Sequence, residues 1–226
     1  NSCTGLAPFT ITGITGTGSI GSYTWDAPSV TSGSGSITSG GTTSAPTFTP
    51  TSASGEFSYT VHANGNSFCT SISAATSITI KWATPPSITS VGAPIVTCGM
   101  DPHTMTGAAV TGTYSSVSWS GNANGSWTTS DPVNPSLWVF TPTTQSGSFT
   151  STLTATGSGV CAGTNPFATR LISWSAPPTV NAGTDISVCT GMTAIPMAGA
   201  SGTGYNTYNW TETLTGSGGW NQGGSI

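Results

Sequence analysis

The stretch "PTFTPTSASGEFSYTVHANG" (Pro46–Gly65) recurs in altered form as "WVFTPTTQSGSFTSTLTATG" (Trp138–Gly157), 92 residues later. Within the first copy, Phe57, Tyr59 and Val61 alternate with polar residues and share one face with Ala63. Alternation with a period of two is typical of a half-buried β-strand. This stretch therefore predicts strands, and its recurrence predicts that the chain repeats a β-structure.

Other landmarks recur around this stretch. The same period of 92 residues separates Cys69 from Cys161, Trp82 from Trp174, and the pair Pro85-Pro86 from the pair Pro177-Pro178. Three further cysteines (Cys3, Cys98 and Cys189) each precede a tryptophan (Trp25, Trp119 and Trp210) by 21 or 22 residues. We therefore predict residues 1–84 as a first repeat that lacks its first strand, 85–176 as a complete second repeat, and 177–226 as a truncated third repeat.

The second repeat shows short alternating segments bounded by turn residues. We predict strands near Ser87–Val96, His103–Val110, Ser115–Ser120, Trp138–Thr141, Ser148–Thr156 and Ala168–Ser173. Some 90 residues with six or seven short strands, and a tryptophan on the third, are typical of an immunoglobulin-like β-sandwich. No segment has a 3.6-residue apolar period, so we expect an all-β fold with essentially no helix.

Composition narrows the range of partners. Of 226 residues, only 4% are charged and only Lys81 and Arg170 are Lys or Arg. Two cations cannot form a basic patch, which makes nucleic acid an improbable partner. No apolar run reaches the 18 or more residues that a membrane helix requires, so no membrane insertion is expected. Eight Trp, seven Phe and five Tyr argue against disorder despite the many Ser, Thr and Gly residues.

The segments that connect neighbouring repeats have the sequences "WATPP" and "WSAPP". Proline lacks a backbone N–H, cannot continue a strand ladder and favours extended backbone. We therefore interpret these segments as stiff joints between neighbouring domains, formed by the residues Trp82, Pro85, Pro86, Trp174, Pro177 and Pro178.

Two longer stretches carry a family resemblance. The stretch "PPTVNAGTDISVCTG" (Pro177–Gly191) with "YNTYNW" (Tyr205–Trp210), and the stretch "DPVNPSLWVFTPTTQSGSFTSTLTATGSGVC" (Asp131–Cys161), resemble PKD-like, immunoglobulin-like tandem repeats of large secreted surface proteins of Bacteroidota. The resemblance covers nearly the whole chain. This resemblance implies that the protein is an adhesin, a matrix or filament component, or a spacer that carries another domain away from the cell. The first repeat departs from the pattern because no Pro-Pro strand precedes Cys3, and the chain looks like a piece of a longer array.

Recurrent cysteines indicate disulfides and an oxidising compartment. One alternative pairs cysteines within repeats, Cys3 with Cys69 and Cys98 with Cys161. The predicted strands would hold Cys98 and Cys161 about 20 Å apart, whereas bridged Cα atoms lie within about 7 Å. We therefore favour an inter-repeat pair of Cys3 with Cys161, which leaves Cys69, Cys98 and Cys189 to partners outside this segment.

No constellation of residues indicates an enzyme. His62 and His103 lie at non-equivalent positions of different repeats, and neither has a metal-ligand spacing. Asp101, Asp131 and Asp185 are expected to be turn residues, since no Asp-x-Asp run supplies several oxygens for calcium. The six acids form no repeated pair for glycoside hydrolysis. We expect no catalytic residues, no metal and no cofactor.

Hydroxyl-rich segments are candidate glycan acceptors. Two Asn sequons occur, at Asn124 and Asn209, and Ser and Thr residues crowd the segment from Thr31 to Thr47. A glycan coat would supply solubility that a net charge of -4 supplies only weakly. The other interpretation is that these hydroxyls are simply the polar faces of strands.

The function predicted from these features is a structural one. We expect a component of an extracellular fibre or cell-surface stalk whose partners are copies of itself or further repeats of the same chain, with glycans as a further candidate. The alternative is an adhesin or carbohydrate-binding array that uses Trp127, Trp138 and Trp220 to stack on sugars. A third idea, an ice-binding Thr face, is disfavoured because the T-x-T runs are short.

Overall fold

The computed structural model of the protein describes residues 1–66, 73–121, 124–187, 189, 199–204 and 207. Over these residues the fold is all-β, as predicted, and two short 3₁₀ turns at Pro135–Leu137 and Gly159–Cys161 are its helical elements. The many Thr, Val, Ile and aromatic residues favour pleated strands, and Gly, Pro, Asn and Ser supply the turns between them.

Among the described residues, seven strands form the first sandwich. They are β1 (Phe9–Thr10), β2 (Ile20–Trp25), β3 (Ser29–Ser32), β4 (Gly35–Ser39), β5 (Thr47–Pro50), β6 (Gly55–Gly65) and β7 (Ser73–Trp82). One sheet has the order β1-β5-β4. In the other sheet, β6 pairs with β2 and β3 along one edge and with β7 along the other. A parallel bridge adds Ser2 beside Trp82 at the outer edge of β7.

In the second sandwich, the part of the chain that the structure describes contains nine strands. They are β8 (Ser87–Val91), β9 (Ile95–Cys98), β10 (His103–Thr104), β11 (Ala108–Thr111), β12 (Tyr114–Ser120), β13 (Gly125–Thr129), β14 (Trp138–Pro142), β15 (Gly147–Gly157) and β16 (Phe167–Ser175). One sheet has the order β12-β15-β16-β9, with β9 parallel to β16. The opposite layer contains β8 paired with β11, and β10-β14-β13. This strand order is that of an immunoglobulin-like sandwich.

Beyond the second Pro-Pro pair, β17 (Thr179–Asn181) and β18 (Ser201–Thr203) form an antiparallel pair. Most of the remaining residues of the predicted third repeat lie outside the described residues.

Each sandwich encloses its own core. In the first, Phe57, Tyr59 and Val61 are buried on one face of β6, as their alternation predicts. In the second, Leu153 and Ala155 of β15 occupy the corresponding face, and Trp119 of β12 is buried beside them. Strand residues on the opposite faces carry the hydroxyls.

Trp82 and Trp174 occupy equivalent positions at the edge of the two cores. The indole N–H of Trp82 donates to the carbonyl oxygen of Ser52 at 2.9 Å, and that of Trp174 donates to Thr144 at 2.8 Å. A Cβ atom on Gly55 would lie 2.2 Å from the Trp82 ring, and one on Gly147 would lie 2.5 Å from the Trp174 ring. Gly55, in the opening sequence stretch, is therefore required because the Trp82 ring lies against its backbone, and not because the chain turns there.

The predicted strands of the second repeat differ from the structure in three places. The prediction for Ser87–Val96 covers two strands, because Gly92 has a φ of +78° and the chain crosses there from the β11 layer to the β16 layer. The prediction for His103–Val110 likewise covers β10 and β11, separated by Gly107 at a φ of +79°. Strand β13 was not predicted, since its sequence "GSWTT" follows a run of Gly and Asn.

Candidate functional site

The joint between the two sandwiches is an ordered contact. Ala83 is only 5% exposed, and its amide donates to the Ser2 carbonyl at 3.1 Å while its carbonyl accepts from the Gly5 amide at 2.9 Å. From the second sandwich, the Thr113 amide donates to the Thr84 carbonyl at 3.0 Å. Residues from both sandwiches therefore hold the short segment that connects them.

Gly112 permits this contact. It has a φ of +89°, which glycine adopts without strain. A Cβ at this position would lie 2.1 Å from the Pro85 carbonyl oxygen and 2.9 Å from the Pro86 Cα. The loop between β11 and β12 can approach the two prolines only because position 112 has no side chain. Gly112 was not among the residues predicted from the sequence, although Gly18 and Gly204 occupy equivalent turns.

A disulfide between Cys3 and Cys161 connects the two sandwiches across the joint. The two Cα atoms lie 5.0 Å apart, although the residues are 158 positions apart in the chain. Cys161 is fully buried in the 3₁₀ turn between β15 and β16, and its Sγ lies 3.6 Å from the Thr84 carbonyl oxygen. This is the inter-repeat pair that the sequence analysis favours over Cys3–Cys69 and Cys98–Cys161.

Cys98 occupies in the second sandwich the place that Cys3 occupies in the first. It ends β9 opposite Ser175, at the far end of β16 from the turn that contains Cys161. In the first sandwich, Cys3 follows Ser2, which bridges to Trp82. Cys98 and Cys189 are exposed free thiols, and Cys69 lies outside the described residues.

The second joint begins with the same geometry. The Gly99 amide donates to the Ser175 carbonyl at 2.8 Å, and a Cβ on Gly204 would lie 3.3 Å from the Pro178 Cα. The loop after β18 therefore meets the second Pro-Pro pair as the Gly112 loop meets the first.

The histidines lie apart from the joint. On the outer face of β6, the His62 Nε2 lies 3.0 Å from Asp26 Oδ2, and its Nδ1 lies 3.2 Å from Ser73 Oγ. His103 is buried in β10 with its Nε2 2.9 Å from the Thr97 hydroxyl. Burial lowers the pKa of His103, and the nearby Asp101 carboxylate offsets this only in part. Over the described residues, no three His, Cys, Asp or Glu side chains cluster as metal ligands would.

The aspartates predicted as turn residues include one with a clear turn contact. The Asp131 Oδ1 accepts from the Val133 amide at 2.9 Å, which is the Asx-turn contact expected of such a residue.

Two of the three tryptophans considered for sugar binding pack into the second sandwich. The Trp127 ring stacks on Trp119 at 6.0 Å and 11°, and its indole N–H donates to the Gly121 carbonyl at 3.0 Å. Trp138 is half-buried against the same core. Trp220 lies outside the described residues.

The structure describes some of the candidate glycan acceptors but not all of them. Between Thr31 and Thr47 most Ser and Thr residues are exposed. Asn124 is exposed at a φ of +65°, whereas Asn209 lies outside the described residues. In the part of the chain that the structure describes, no helix is long and apolar enough to cross a membrane.

Comparisons with known proteins give weak structural likenesses. No protein-family profile and no curated protein matches the chain. Among solved structures, it is similar to a three-immunoglobulin-domain structure of titin, with 14% identity and a TM-score of 0.40 over 78% of this chain and 62% of that one. It is also similar to the eight N-terminal immunoglobulin domains of Down Syndrome Cell Adhesion Molecule, with 15% identity and a TM-score of 0.29 over 80% of this chain and 27% of that one. A chicken VE-cadherin structure gives 13% identity and a TM-score of 0.27 over 75% of this chain and 92% of that one.

This chain thus spans less than two thirds of the titin structure and of the Down Syndrome Cell Adhesion Molecule structure. Its immunoglobulin-like class rests on its own strand order.

Proposed function

We propose that the protein is a structural component of an extracellular fibre or cell-surface stalk, built from tandem immunoglobulin-like sandwiches. The observation that carries the proposal is the disulfide from Cys3 to Cys161 across the Pro85–Pro86 joint. A sandwich that only carried a binding site would not require its neighbour to be fixed by a second covalent connection.

The joint supports this role mechanically. Chain and disulfide form two covalent connections between the sandwiches, and the buried Ala83 with its backbone hydrogen bonds removes the freedom of a flexible tether. Bending at the joint would break these contacts. Stretching would load the disulfide, so that residues between Cys3 and Cys161 would carry little of the force.

Location and partners follow from the same chemistry. Disulfides persist in oxidising compartments, which supports secretion to the cell surface, as does the resemblance to PKD-like repeats of Bacteroidota surface proteins. The partners proposed are further repeats of the chain or other copies of it. The exposed hydroxyls between Thr31 and Thr47 are proposed as O-glycan acceptors. The adhesin alternative draws no support from Trp127 or Trp138, because both pack against the second core.

Electron microscopy of the native full-length protein tests the fibre or stalk. Straight rods or fibres are expected, and a flexible string of beads or compact single particles would overturn the proposal. A Cys161→Ser variant should bend more at the joint. A Cys98→Ser variant leaves the Cys3–Cys161 bond in place, so it should not bend more at the Pro85–Pro86 joint and is the control for that joint.

Single-molecule pulling on Asn1 and Ile226 tests whether the disulfide carries the stretching force. In the oxidised protein the residues between Cys3 and Cys161 should stay unextended, and reduction should add about 500 Å of contour length. Equal extension of the oxidised and reduced proteins would show that the disulfide carries no load.

A further inference from the structure

The four-stranded sheet β12-β15-β16-β9 of the second sandwich has an outer face, on the side away from the core. Between Ser148 and Thr156, every outward-facing residue of β15 is Ser or Thr. Among the described residues of the four strands, none that faces outward is charged. The outer face can therefore be covered without removing an ion from water. The outward-facing residues of β16 are Phe167, Thr169, Leu171 and Ser173.

Two large apolar side chains of this outer face are exposed. Phe167 is 72% exposed and Leu171 is 43% exposed, and they flank Thr169 on β16. Phe167 lies opposite Thr154, and Leu171 lies opposite Thr150, on the neighbouring strand. Since the burial of apolar surface is favourable, a partner that covers both side chains would be stabilised by them.

The outer face runs along the side of the sandwich, between its two joints. β16 follows the turn of Cys161, which is bonded to the first sandwich, and it ends at Ser175, whose carbonyl accepts from the Gly99 amide at the second joint. The two joints therefore lie at the ends of the strands. Domains added in line at either joint would leave Phe167 and Leu171 exposed on the side.

The equivalent face of the first sandwich differs in charge. There Ala75 takes the place of the exposed phenylalanine, at the spacing of 92 residues that relates β7 to β16. The His62 Nε2 lies 3.0 Å from Asp26 Oδ2, and the Lys81 Nζ lies 2.9 Å from Glu56 Oε2. Covering these groups would remove their hydration, which is costly. The second sandwich therefore has the more favourable surface for face-to-face packing.

The chemistry of the outer face restricts its partner. The partner must present a flat, uncharged surface of small hydroxyl side chains, with larger apolar side chains at two positions. The same face of a second copy has this composition, and two sheets pack about 10 Å apart with their strands aligned to within about 30°. A strongly charged partner would find no opposite charge on the outer face.

We propose that the outer face of the second sandwich packs against the same face of a second copy of the chain, with Phe167 of each copy on Leu171 of the other. The inference rests on the proposed fibre or stalk and names the contact that would hold two of them side by side. The two copies would be related by a two-fold axis through Thr169, so that each makes the same contacts. Their strands would run in opposite directions.

The sizes of the side chains on β16 favour this arrangement. With antiparallel copies, a phenylalanine meets a leucine at both ends of the contact, and Thr169 meets Thr169 between them. The layer between the sheets then has equal thickness at its two ends. With parallel copies, Phe167 would meet Phe167 and Leu171 would meet Leu171. Such a contact would hold the sheets further apart at one end and pack poorly at the other.

The area of the outer face indicates a weak contact between single copies. Four strands about 4.8 Å apart and about 27 Å long cover roughly 500 Å², so the contact would bury about 1,000 Å² in total. Stable interfaces bury about 1,200 to 2,000 Å². Two single chains should therefore associate reversibly, and an array that repeats the contact would bind its neighbour more strongly.

Sedimentation velocity of the 226-residue chain tests the outer face. Iodoacetamide first blocks the exposed thiols, so that disulfides do not join copies. The native chain should form concentration-dependent dimers, and Phe167→Glu should weaken them at least about tenfold because it would bury an unpaired charge. Ala75→Glu places the same charge at the equivalent position of the first sandwich and should leave the dimers intact. A native chain that stays monomeric, or equal effects of the two variants, would overturn the proposal.

A mixture of two variants tests the arrangement of the copies. Leu171→Lys alone should also weaken the dimers at least about tenfold. Mixing Phe167→Glu chains with Leu171→Lys chains should recover them, because the two substituted positions face each other in the mixed dimer and their opposite charges pair. Circular dichroism should show both variants folded, since both positions are exposed. No recovery in the mixture would overturn the two-fold arrangement.

Electron microscopy of the native full-length protein separates this contact from the proposed fibre. Native rods should lie side by side in bundles, and Phe167→Glu should give single straight rods. Bundles that persist in Phe167→Glu would overturn the contact and leave the fibre standing. A flexible string of beads would overturn the fibre, whereas sedimentation would still decide the contact. Retention of a monomeric native chain on cellulose, lost in Phe167→Glu, would assign the outer face to a polysaccharide and overturn the proposal.

Discussion

The sulfur atoms of Cys3 and Cys161 are bonded across the Pro85–Pro86 joint, which connects two sandwiches through residues 158 positions apart. Cys3 lies at the end of the first sandwich from which the chain leaves. Cys161 lies in the turn of the second sandwich that faces the incoming chain. The bond therefore adds a second covalent connection at the joint where the polypeptide passes from the first sandwich to the second.

Removing the disulfide should loosen the joint and destabilise the protein. We expect Cys3→Ser/Cys161→Ser to lower the free energy of unfolding by about 2 to 5 kcal/mol, since a long loop in the unfolded chain is released. Chemical denaturation with and without reductant measures this. Non-reducing peptide mapping is the companion experiment, and a Cys98–Cys161 linkage would contradict the structure.

Cys98 should react with alkylating reagents in the folded protein. It is exposed and free, as is Cys189, whereas Cys3 and Cys161 are bonded to each other. Iodoacetamide followed by mass spectrometry should find both Cys98 and Cys189 modified without denaturant. Cys3 and Cys161 should be modified only after reduction. Protection of Cys98 in the isolated chain would be inconsistent with its observed exposure.

Gly112→Ala should disrupt the joint more than Gly18→Ala disturbs the first sandwich. Both glycines have positive φ, so both variants incur the strain of a left-handed alanine, about 1 to 2 kcal/mol. Only position 112 adds a collision, with the Pro85 carbonyl oxygen 2.1 Å from the new Cβ. We expect the additional loss at position 112 to exceed about 1 kcal/mol. Calorimetry of the two variants of the 226-residue chain measures the difference, and equal losses would argue against the close approach.

Gly147→Ala should destabilise the second sandwich by about 1 to 3 kcal/mol. Its Cβ would lie 2.5 Å from the Trp174 ring, so the indole that donates to Thr144 would have to move. Tryptophan fluorescence during denaturation follows both the stability and the displacement. Ser148→Ala, at the exposed neighbouring position, is the control and should be neutral.

His103 should make stability depend on pH. Burial lowers its pKa in the folded protein below the ordinary value of about 6.5. The unfolded chain therefore binds the proton more tightly, and the stability contributed by neutral His103 is present above about pH 6.5 and is lost as the pH falls below it. Denaturation midpoints from about pH 7 to pH 5 should fall in the native protein. The fall should be smaller in His103→Phe, the residue that Phe9 supplies at the equivalent position. An unchanged slope would show that another group is responsible.

Much of the fold could be predicted from local patterns. The alternation of Phe57, Tyr59 and Val61 indicated a strand, and the recurrence of Phe48, Gly55 and Trp82 as Phe140, Gly147 and Trp174 indicated the repeated core. These signals are local, because burial on one face of a strand leaves a period of two in the sequence.

Strand boundaries were less predictable. Ser87–Val96 looks like one strand because its apolar residues continue past Gly92. The chain nevertheless changes sheets there, and that choice depends on whether β11 or β16 offers a free edge. Strand β13 carries one large apolar residue, Trp127, and depends on its pairing with β14 for its existence.

What the sequence by itself determined is the β-sandwich fold, with its strand-forming alternation and the recurrence of its Pro-Pro pairs and cysteines at fixed spacings. Only the tertiary structure decided that Cys3 bonds Cys161 and that Gly112 admits the joint. The physical reason is that strand formation reflects side chains a few residues apart, whereas a disulfide or a close backbone approach depends on distances between segments that lie far apart in the chain.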